Sequence, residues 1–137
     1  MLAKQISVLI DNRPGRLARV TGALRDADVN IRAISMADAP DFGIFRLVVD
    51  DTTRALKALK EAGFLAEVSD VVAVELIDKP GALAAVLEAL ARGQVNVEYM
   101  YASLAEEAGK AVVYLRFEDS LRAVAVLRDS GARILES

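Results

Sequence analysis

The sequence predicts an α+β protein built from two βαββαβ halves, each with a four-stranded antiparallel sheet and its helices on one face. The main observation is an internal repeat: Pro14-Gly15 recurs as Pro80-Gly81, and nine of the 21 residues from position 14 onward are identical at this shift of 66. Each repeat alternates β-branched runs with stretches of helical periodicity, and turn-forming residues separate them. The 137 residues are enough for two small domains.

In the first half, the predicted elements follow in the order strand, helix, strand, strand, helix, strand. Pro14 suits the first turn of a helix, where a missing N–H is tolerated, and apolar residues follow at helical spacing. Asp51 is a suitable cap for the second helix, and Gly63 ends it. Ala39-Pro40-Asp41 is predicted to break the chain between the two middle strands. The four predicted strands cover residues 4–10, 31–37, 44–49 and 64–68.

The second half repeats this plan. Glu106-Glu107-Ala108-Gly109 is predicted as the turn before its third strand. Almost no linker separates the halves at Ser69-Asp70, so the predicted domains are residues 1–69 and 70–137. Two helices beside four antiparallel strands form the ferredoxin-like plan. The predicted strands cover residues 71–77, 95–104, 111–117 and 133–135, and the helices cover 81–92 and 120–130.

In the second strand of each half, two apolar residues are spaced three apart: Ile31 and Ile34, then Val97 and Met100. Strict alternation along a strand needs an even spacing. One interpretation is a β-bulge inside each pair, which places both residues on the core face. The other is that Ile34 and Met100 lie on the opposite, partly covered face.

The third strands are apolar on both faces. Val113, Leu115 and Phe117 are expected to face the helices, which leaves Val112 and Tyr114 on the outer face. The same feature recurs in the first half. Because exposed apolar sheet faces usually mark interfaces, the outer faces are predicted to pack on another chain, as in a homodimer.

The composition excludes several classes of function. The chain has neither Cys nor His, so thiol chemistry, Cys/His zinc sites and imidazole bases are excluded, and no metal or cofactor is predicted. A formal net charge of −3 argues against a nucleic acid or an anionic membrane as partner. The N-terminus lacks a leader pattern, and no apolar stretch approaches the ~20 residues of a spanning helix, so a cytoplasmic protein is expected.

Each half places an acidic residue and Pro-Gly where the first strand turns into the first helix. The N–H groups at a helix N-terminus are unpaired and carry partial positive charge, and Gly lets a ligand approach the backbone, so this turn suits a small carboxylate. Asp11 and Asp78 are candidates to attract an ammonium group, and Asn12, Asn30 and Asn96 offer amide groups. The alternative is that Asx-Pro-Gly simply starts a helix, with the Asx side chain as its cap.

The two loops resemble the start of ACT domains, which are regulatory modules that bind amino acids. The resemblance covers essentially the whole chain as two copies. It implies a ligand at the contact between two domains, touching this loop of one domain and the start of the second strand of its neighbour. The segments that carry it are Asp11-Asn12-Arg13-Pro14-Gly15-Arg16-Leu17 with Val29-Asn30-Ile31, and Asp78-Lys79-Pro80-Gly81-Ala82-Leu83 with Val95-Asn96-Val97.

The first copy resembles the serine-binding ACT domain of phosphoglycerate dehydrogenase. That likeness implies Asn12 and Asn30 as side-chain ligands. It also implies backbone contacts from Arg13, Gly15 and Arg16. Ile10 stands where that version has a histidine, which allows a more apolar ligand than serine. The second copy is interpreted as having a shorter loop without an equivalent of Asn12. Its expected site residues are Asp78, Gly81, Ala82 and Asn96.

Together these features predict a stand-alone tandem ACT protein, not an enzyme, that binds an amino acid between its domains and modulates amino-acid metabolism allosterically. The alternative is a regulatory subunit that docks to a biosynthetic enzyme without needing a ligand. An acylphosphatase-like enzyme would need an Arg and Asn pair, for which Arg13 and Asn30 are the candidates. RNA binding through the sheet would need exposed aromatic residues, whereas Phe45 and Phe117 are expected to face the helices.

Overall fold

The computed structural model describes residues 2–38, 41–104 and 107–136. Parts of the two turns predicted before the third strands, namely Ala39, Pro40 and Glu106, lie outside the described residues. The chain divides into two compact units, which are Lys4–Ser69 and Asp70–Ser137 with Met1–Ala3. No helix in the described part of the chain is long and apolar enough to cross a bilayer.

The first unit has the order strand, helix, strand, strand, helix, strand, as the sequence predicts. The first and second strands both pair antiparallel with the third. Its elements are β1 (Ala3–Asp11), α1 (Arg16–Asp26), β2 (Ile31–Asp38), β3 (Phe42–Val49), α2 (Thr52–Glu61) and the start of β4 (Leu65–Ile77).

The second unit follows the same order. Strand β6 pairs antiparallel with β4 and with β5, and the short β7 pairs antiparallel with β4. The chain is therefore α+β with antiparallel strand pairs in both units. The elements after β4 are α3 (Ala82–Arg92), β5 (Val97–Ala102), β6 (Lys110–Phe117), α4 (Ser120–Asp129) and β7 (Arg133–Leu135).

Strand β4 differs from the prediction of two strands separated at Ser69-Asp70. It is one strand of 13 residues that runs through this position. Both residues accept extended dihedrals, and neither is a Gly or Pro that would force a turn. Their polar groups are also satisfied in the extended form. The Gln5 side chain donates to Ser69 Oγ at 3.0 Å, and Arg116 donates to the Asp70 carbonyl at 2.6 Å.

Each unit packs both of its helices against alternate residues of its strands. In the first unit, Leu24 of α1 and Leu59 of α2 are fully buried in one core with Leu47 of β3. In the second unit, Val113, Leu115 and Phe117 contribute to the core, as predicted. Phe45 lies in the core of the first unit. Neither Phe45 nor Phe117 is therefore available to stack on an RNA base.

The outer face of β5 and β6 carries three stacked tyrosines. The ring centroids of Tyr99 and Tyr101 are 6.4 Å apart, and those of Tyr101 and Tyr114 are 5.8 Å apart. Tyr114 and Val112 are already buried within the single chain. A second chain is therefore not needed to cover them, and the predicted homodimer stays a prediction.

The predicted β-bulges are present in both second strands. The pairing register shifts between Ile31 and Ala33 of β2, and between Val97 and Tyr99 of β5. As a result, Ile34 pairs with Leu47 and Met100 pairs with Leu115, which are both core residues. Ile34 and Met100 therefore lie on the helix-facing side, although each remains about two-fifths exposed (39% and 40%) at an outer strand.

Candidate functional site

The loop between β1 and α1 turns sharply through a left-handed glycine. The Arg13 N–H donates to the Asp11 carbonyl at 2.9 Å, and the Arg16 N–H donates to the Arg13 carbonyl at 3.3 Å. Gly15 has a φ of 86°, which strongly favours glycine. No described atom lies within 4 Å of the position that a Cβ on Gly15 would occupy. The glycine therefore permits the turn and leaves space in front of the helix.

The loop before α3 has the same hydrogen bonds, residue for residue. The Lys79 N–H donates to the Ile77 carbonyl at 2.8 Å, the Ala82 N–H donates to the Lys79 carbonyl at 3.3 Å, and Gly81 has a φ of 89°. The two loops therefore have equal length.

The expectation of a shorter second loop is therefore wrong. Aligning the identical pairs Ile10-Asp11 and Ile77-Asp78 would make the second loop one residue shorter, whereas the strand faces require a constant shift of 66. Leu76 packs on the second core as Ile10 does on the first, while Ile77 is 63% exposed. The counterpart of Asn12 is accordingly Asp78.

The helices that follow these two loops begin without a side-chain cap. In the described part of the chain, no side-chain hydrogen bond caps α1 or α3. In contrast, Asp51 caps α2 by accepting from the Arg54 N–H at 3.0 Å, and Asp119 caps α4 by accepting from the Arg122 N–H at 3.1 Å. The alternative that Asp11, Asn12 or Asp78 serves as the cap is thus contradicted.

The missing caps leave the N-termini of α1 and α3 available to an anion. The first hydrogen bond inside α1 runs from the Arg19 N–H to the Gly15 carbonyl at 3.0 Å. Helix geometry gives the earlier N–H groups of Leu17 and Ala18 no acceptor within the helix. These donors point out of the helix end and carry its partial positive charge.

The Asp11 carboxylate forms ion pairs with two arginines of the same loop. It pairs with Arg13, and the Arg16 Nε lies 2.5 Å from its Oδ1. Hydrogen bonding to Arg16 is the largest cause that lowers the pKa of Asp11. Burial opposes it to a lesser extent, and the hydrogen bond to Arg13 adds a still smaller lowering of this pKa. Asp11 is therefore ionised but already paired. An ammonium group would have to compete with two guanidinium groups for it.

A cavity of about 420 Å³ lies at the N-terminus of α1. Its lining residues are Arg13, Pro14, Gly15, Arg16 and Arg19. Three guanidinium groups against the one carboxylate of Asp11 leave a net positive charge around the cavity. This charge and the open helix N–H groups make the cavity suited to a carboxylate.

Arg19 was not among the predicted site residues. Its signal in the sequence is its spacing of three from Arg16, which places the two on one helix face. Its guanidinium lies over the Phe64 ring, 5.3 Å from the centroid, and donates to the Ala62 carbonyl at 3.1 Å. These contacts fix one wall of the cavity.

The predicted asparagines lie outside this lining set. The Asn12 N–H donates to the Asp41 carbonyl at 3.4 Å, and Asn12 is exposed. Asn30 is held at the start of β2 because its N–H donates to Asp50 Oδ1 at 2.9 Å and its carbonyl accepts from the Asp50 N–H at 3.1 Å. Asn96 is exposed just before β5. The structure thus brings together Asp11, Arg13, Gly15 and Arg16, and their contacts do not include Asn30.

No group of three or more acidic side chains among the described residues is arranged to hold a metal ion. The described contacts of Arg13 and Asn30, the pair that an acylphosphatase-like site would need, are with other residues. The Arg13 side chain pairs with Asp11, and the Asn30 backbone N–H donates to Asp50. The groups that the described residues bring together here are guanidinium groups and backbone N–H donors, which is the kind of donor set that suits an anion.

Comparison with known proteins identifies the family to which this fold belongs. The ACT domain pair family matches the chain over residues 1–134. The crystal structure of protein BT0572 from Bacteroides thetaiotaomicron is 37% identical with a TM-score of 0.91, and the match covers 98% of this chain and 92% of that one. No curated protein matches this chain.

Two further structures share the fold at lower identity. The regulatory subunit of aspartate kinase from Thermus thermophilus, in its ligand-free form, is 24% identical with a TM-score of 0.69, covering 93% of this chain and 89% of that one. The corresponding subunit from Thermus flavus is 22% identical with a TM-score of 0.58, covering 96% and 94%.

Proposed function

This chain belongs to the ACT family as a tandem domain pair, and on that premise we propose that it is a regulatory protein that binds a free amino acid and thereby modulates amino-acid metabolism. The proposal treats residues 1–69 and 70–137 as two ACT domains, each with a four-stranded antiparallel sheet. It assigns the chain no catalytic step. It places the ligand carboxylate at the loop between β1 and α1.

The observation that carries this proposal is the uncapped N-terminus of α1 next to three arginines. A ligand carboxylate would accept from the N–H groups of Leu17 and Ala18 and from the Arg16 guanidinium. Charge-assisted hydrogen bonds of this kind are roughly twice as strong as neutral ones. The exposed Asn12 side chain supplies an acceptor for the ligand ammonium group. We also assign Asn30 to this ligand, because the resemblance to the serine-binding ACT domain implies it and not because of a contact in the structure.

The second loop supports a weaker site in this proposal. Asp78, Gly81 and Asn96 match Asn12, Gly15 and Asn30 in position. However, Ala82 stands where the first copy has Arg16, so the second loop lacks that guanidinium. We therefore expect the first loop to bind an amino-acid carboxylate more tightly than the second.

A second proposal is that the chain docks on another protein, either a biosynthetic enzyme or a second copy of itself. The supporting observation is that three large apolar side chains are highly exposed in the single chain, and contact with a partner would remove their surfaces from water. Leu121 is 81% exposed, Leu65 is 71% exposed and Ile77 is 63% exposed. Ligand-independent association, measured by light scattering on the purified chain, would favour this proposal.

The test of the amino-acid proposal is a thermal-shift screen against the twenty amino acids at millimolar concentration. A true ligand should raise the melting temperature in a dose-dependent manner, because a ligand at 100 times its Kd stabilises the folded state by about 2.7 kcal/mol. In an Asn12→Ala variant the shift should shrink, while the melting temperature without ligand should stay unchanged. Absence of a shift with all twenty would contradict the proposal.

A further inference from the structure

The second unit contains a cavity of about 580 Å³ that the loop site does not account for. It is bounded by β4, by the first turns of α3 and by the turn that joins α4 to β7. All of the residues that line it belong to the second unit. Its apolar lining residues are Val74, Leu76, Ile77, Ala82, Ala85, Val86 and Ala132.

In the first unit, large side chains occupy part of the corresponding position, where Arg16 and Arg19 line one cavity and Phe64 lines another of about 690 Å³. Arg19 stacks on Phe64 and donates to the Ala62 carbonyl at 3.1 Å. With the shift of 66 residues that relates the two loops, Arg16 and Arg19 correspond to Ala82 and Ala85.

Phe64 corresponds to Ala132. Each follows a left-handed glycine, and each donates its N–H to a leucine carbonyl five residues earlier at 3.0 Å. Three large side chains are therefore replaced together by alanine, at positions far apart in the sequence. These three replacements leave only small side chains at this part of the cavity wall in the second unit.

The charges around the cavity are unequal. Four basic residues line it, against one acidic residue, Glu75. The Glu75 carboxylate is 14% exposed and is held by Lys110 at 3.3 Å and by Arg133 at 2.8 Å. The remaining basic residues, Lys79 and Arg92, add positive charge. An anionic group would be stabilised at this rim, whereas a cation would be repelled.

From these observations we propose that this cavity binds a small carboxylate with an apolar side chain, such as a branched-chain or aromatic amino acid or its 2-oxo acid. A volume of about 580 Å³ is within the range of small-molecule pockets, which are mostly apolar with a few polar groups. The apolar chain packs against Val74, Leu76 and Ala132, and the carboxylate lies at the basic rim. This site lies within one unit. It shares Ala82 with the weaker site proposed at the second loop, but it includes no residue of the loop between β1 and α1.

The test compares three probes by isothermal calorimetry on the full chain. 4-Methylpentanoate carries the carboxylate and the apolar chain, leucine adds the ammonium group, and 4-methylpentanamide lacks the charge. The carboxylate should bind at least about tenfold more tightly than the amide, since the basic rim contacts an anion. The ratio between 4-methylpentanoate and leucine distinguishes a free acid from an amino acid as the natural ligand. Equal binding of acid and amide, or no binding of either acid below about 10 mM, would overturn the proposal.

The matched variant is Ala85→Arg with Ala132→Phe, which introduces the pair found in the first unit. It should fold, because the first unit accommodates the same pair, and it should weaken 4-methylpentanoate binding by at least about tenfold. Ala132→Leu is a smaller substitution that should weaken binding partly if the double variant is unstable. Unchanged affinity in a folded Ala132→Leu or double variant would place the ligand elsewhere and overturn the assignment. In ¹⁵N-labelled wild-type protein, the amides of Ala82 to Val86 and of Ala132 should shift on titration.

Discussion

Replacing Arg16 by alanine is expected to weaken binding of the amino-acid ligand roughly tenfold to a hundredfold. A hydrogen bond to a charged group is worth about 1.5–3 kcal/mol, and each 1.4 kcal/mol is about a factor of ten in affinity. Arg16 is the lining residue whose side chain is a quarter exposed (25%), so its guanidinium is more sheltered from solvent than that of Arg13 (65%). The measurement is calorimetry with the amino acid that the thermal-shift screen identifies.

The matched control for Arg16→Ala is Arg25→Ala. Arg25 lies on the same helix, is largely exposed and pairs with the neighbouring Asp26 at 3.0 Å. Its replacement removes the same charge from α1 at a distance from the loop, and affinity should change little. An equal loss in both variants would mean that general charge, and not the Arg16 contact, governs binding.

A second readout separates a local electrostatic role of Arg16 from loss of folding. Arg16 is the largest cause of the lowered pKa of Asp11, so in Arg16→Ala this pKa should rise toward its ordinary value. Because a lowered carboxyl pKa stabilises the folded state above the unfolded pKa, the contribution of Asp11 is present at neutral pH and is lost as the pH falls through its lowered folded pKa. An NMR titration of the carboxyl carbon measures the change. A pKa that does not move would contradict the described ion pair.

Replacing Leu127 by alanine is expected to lower the free energy of unfolding by about 2–5 kcal/mol. Leu127 of α4 is fully buried in the core of the second unit, together with Phe117 and Leu115. Truncation removes buried methyl groups and leaves a cavity that the neighbours fill only partly. Urea unfolding followed by circular dichroism measures the effect.

Leu121 provides the matched control because it has the same side chain on the same helix but is 81% exposed. Leu121→Ala should change the free energy of unfolding by less than about 0.5 kcal/mol. Similar losses in the two variants would indicate that α4 does not bury the face described here.

The order of helices and strands could be predicted because local patterns determine it. Apolar residues at a spacing of three or four mark the buried helix faces, and β-branched runs mark the strands. Pro14 was expected in the first helical turn, but it lies in the turn before α1, which begins at Arg16. The bulges were also indicated, since the spacing of Ile31 and Ile34 does not fit a regular strand. Strand β4 was predicted less well, because a Ser-Asp pair is compatible both with a turn and with an extended strand.

The site was predicted only in part, because its chemistry depends on contacts between distant segments. The Pro-Gly pairs indicate the turns in which Gly15 and Gly81 adopt left-handed dihedrals. However, the stacking of Arg19 on Phe64 joins positions 45 residues apart, and no local pattern indicates it. The same is true of the cavity that Ala85 and Ala132 line in the second unit. The equal length of the two loops could be recognised only from the structure, in which Ile10 and Leu76 occupy equivalent core-facing positions in their strands.

In the proposed function, backbone N–H groups at the start of α1 bind the carboxylate of an amino acid. The most direct measurement is a ¹⁵N–¹H correlation spectrum of the labelled protein during titration with the amino acid that stabilises it most. The amides of Gly15, Arg16, Leu17 and Ala18 should shift together, with one saturating dissociation constant that agrees with calorimetry. If those amides stay unmoved while the ligand saturates the protein, the carboxylate is bound elsewhere and the claim fails.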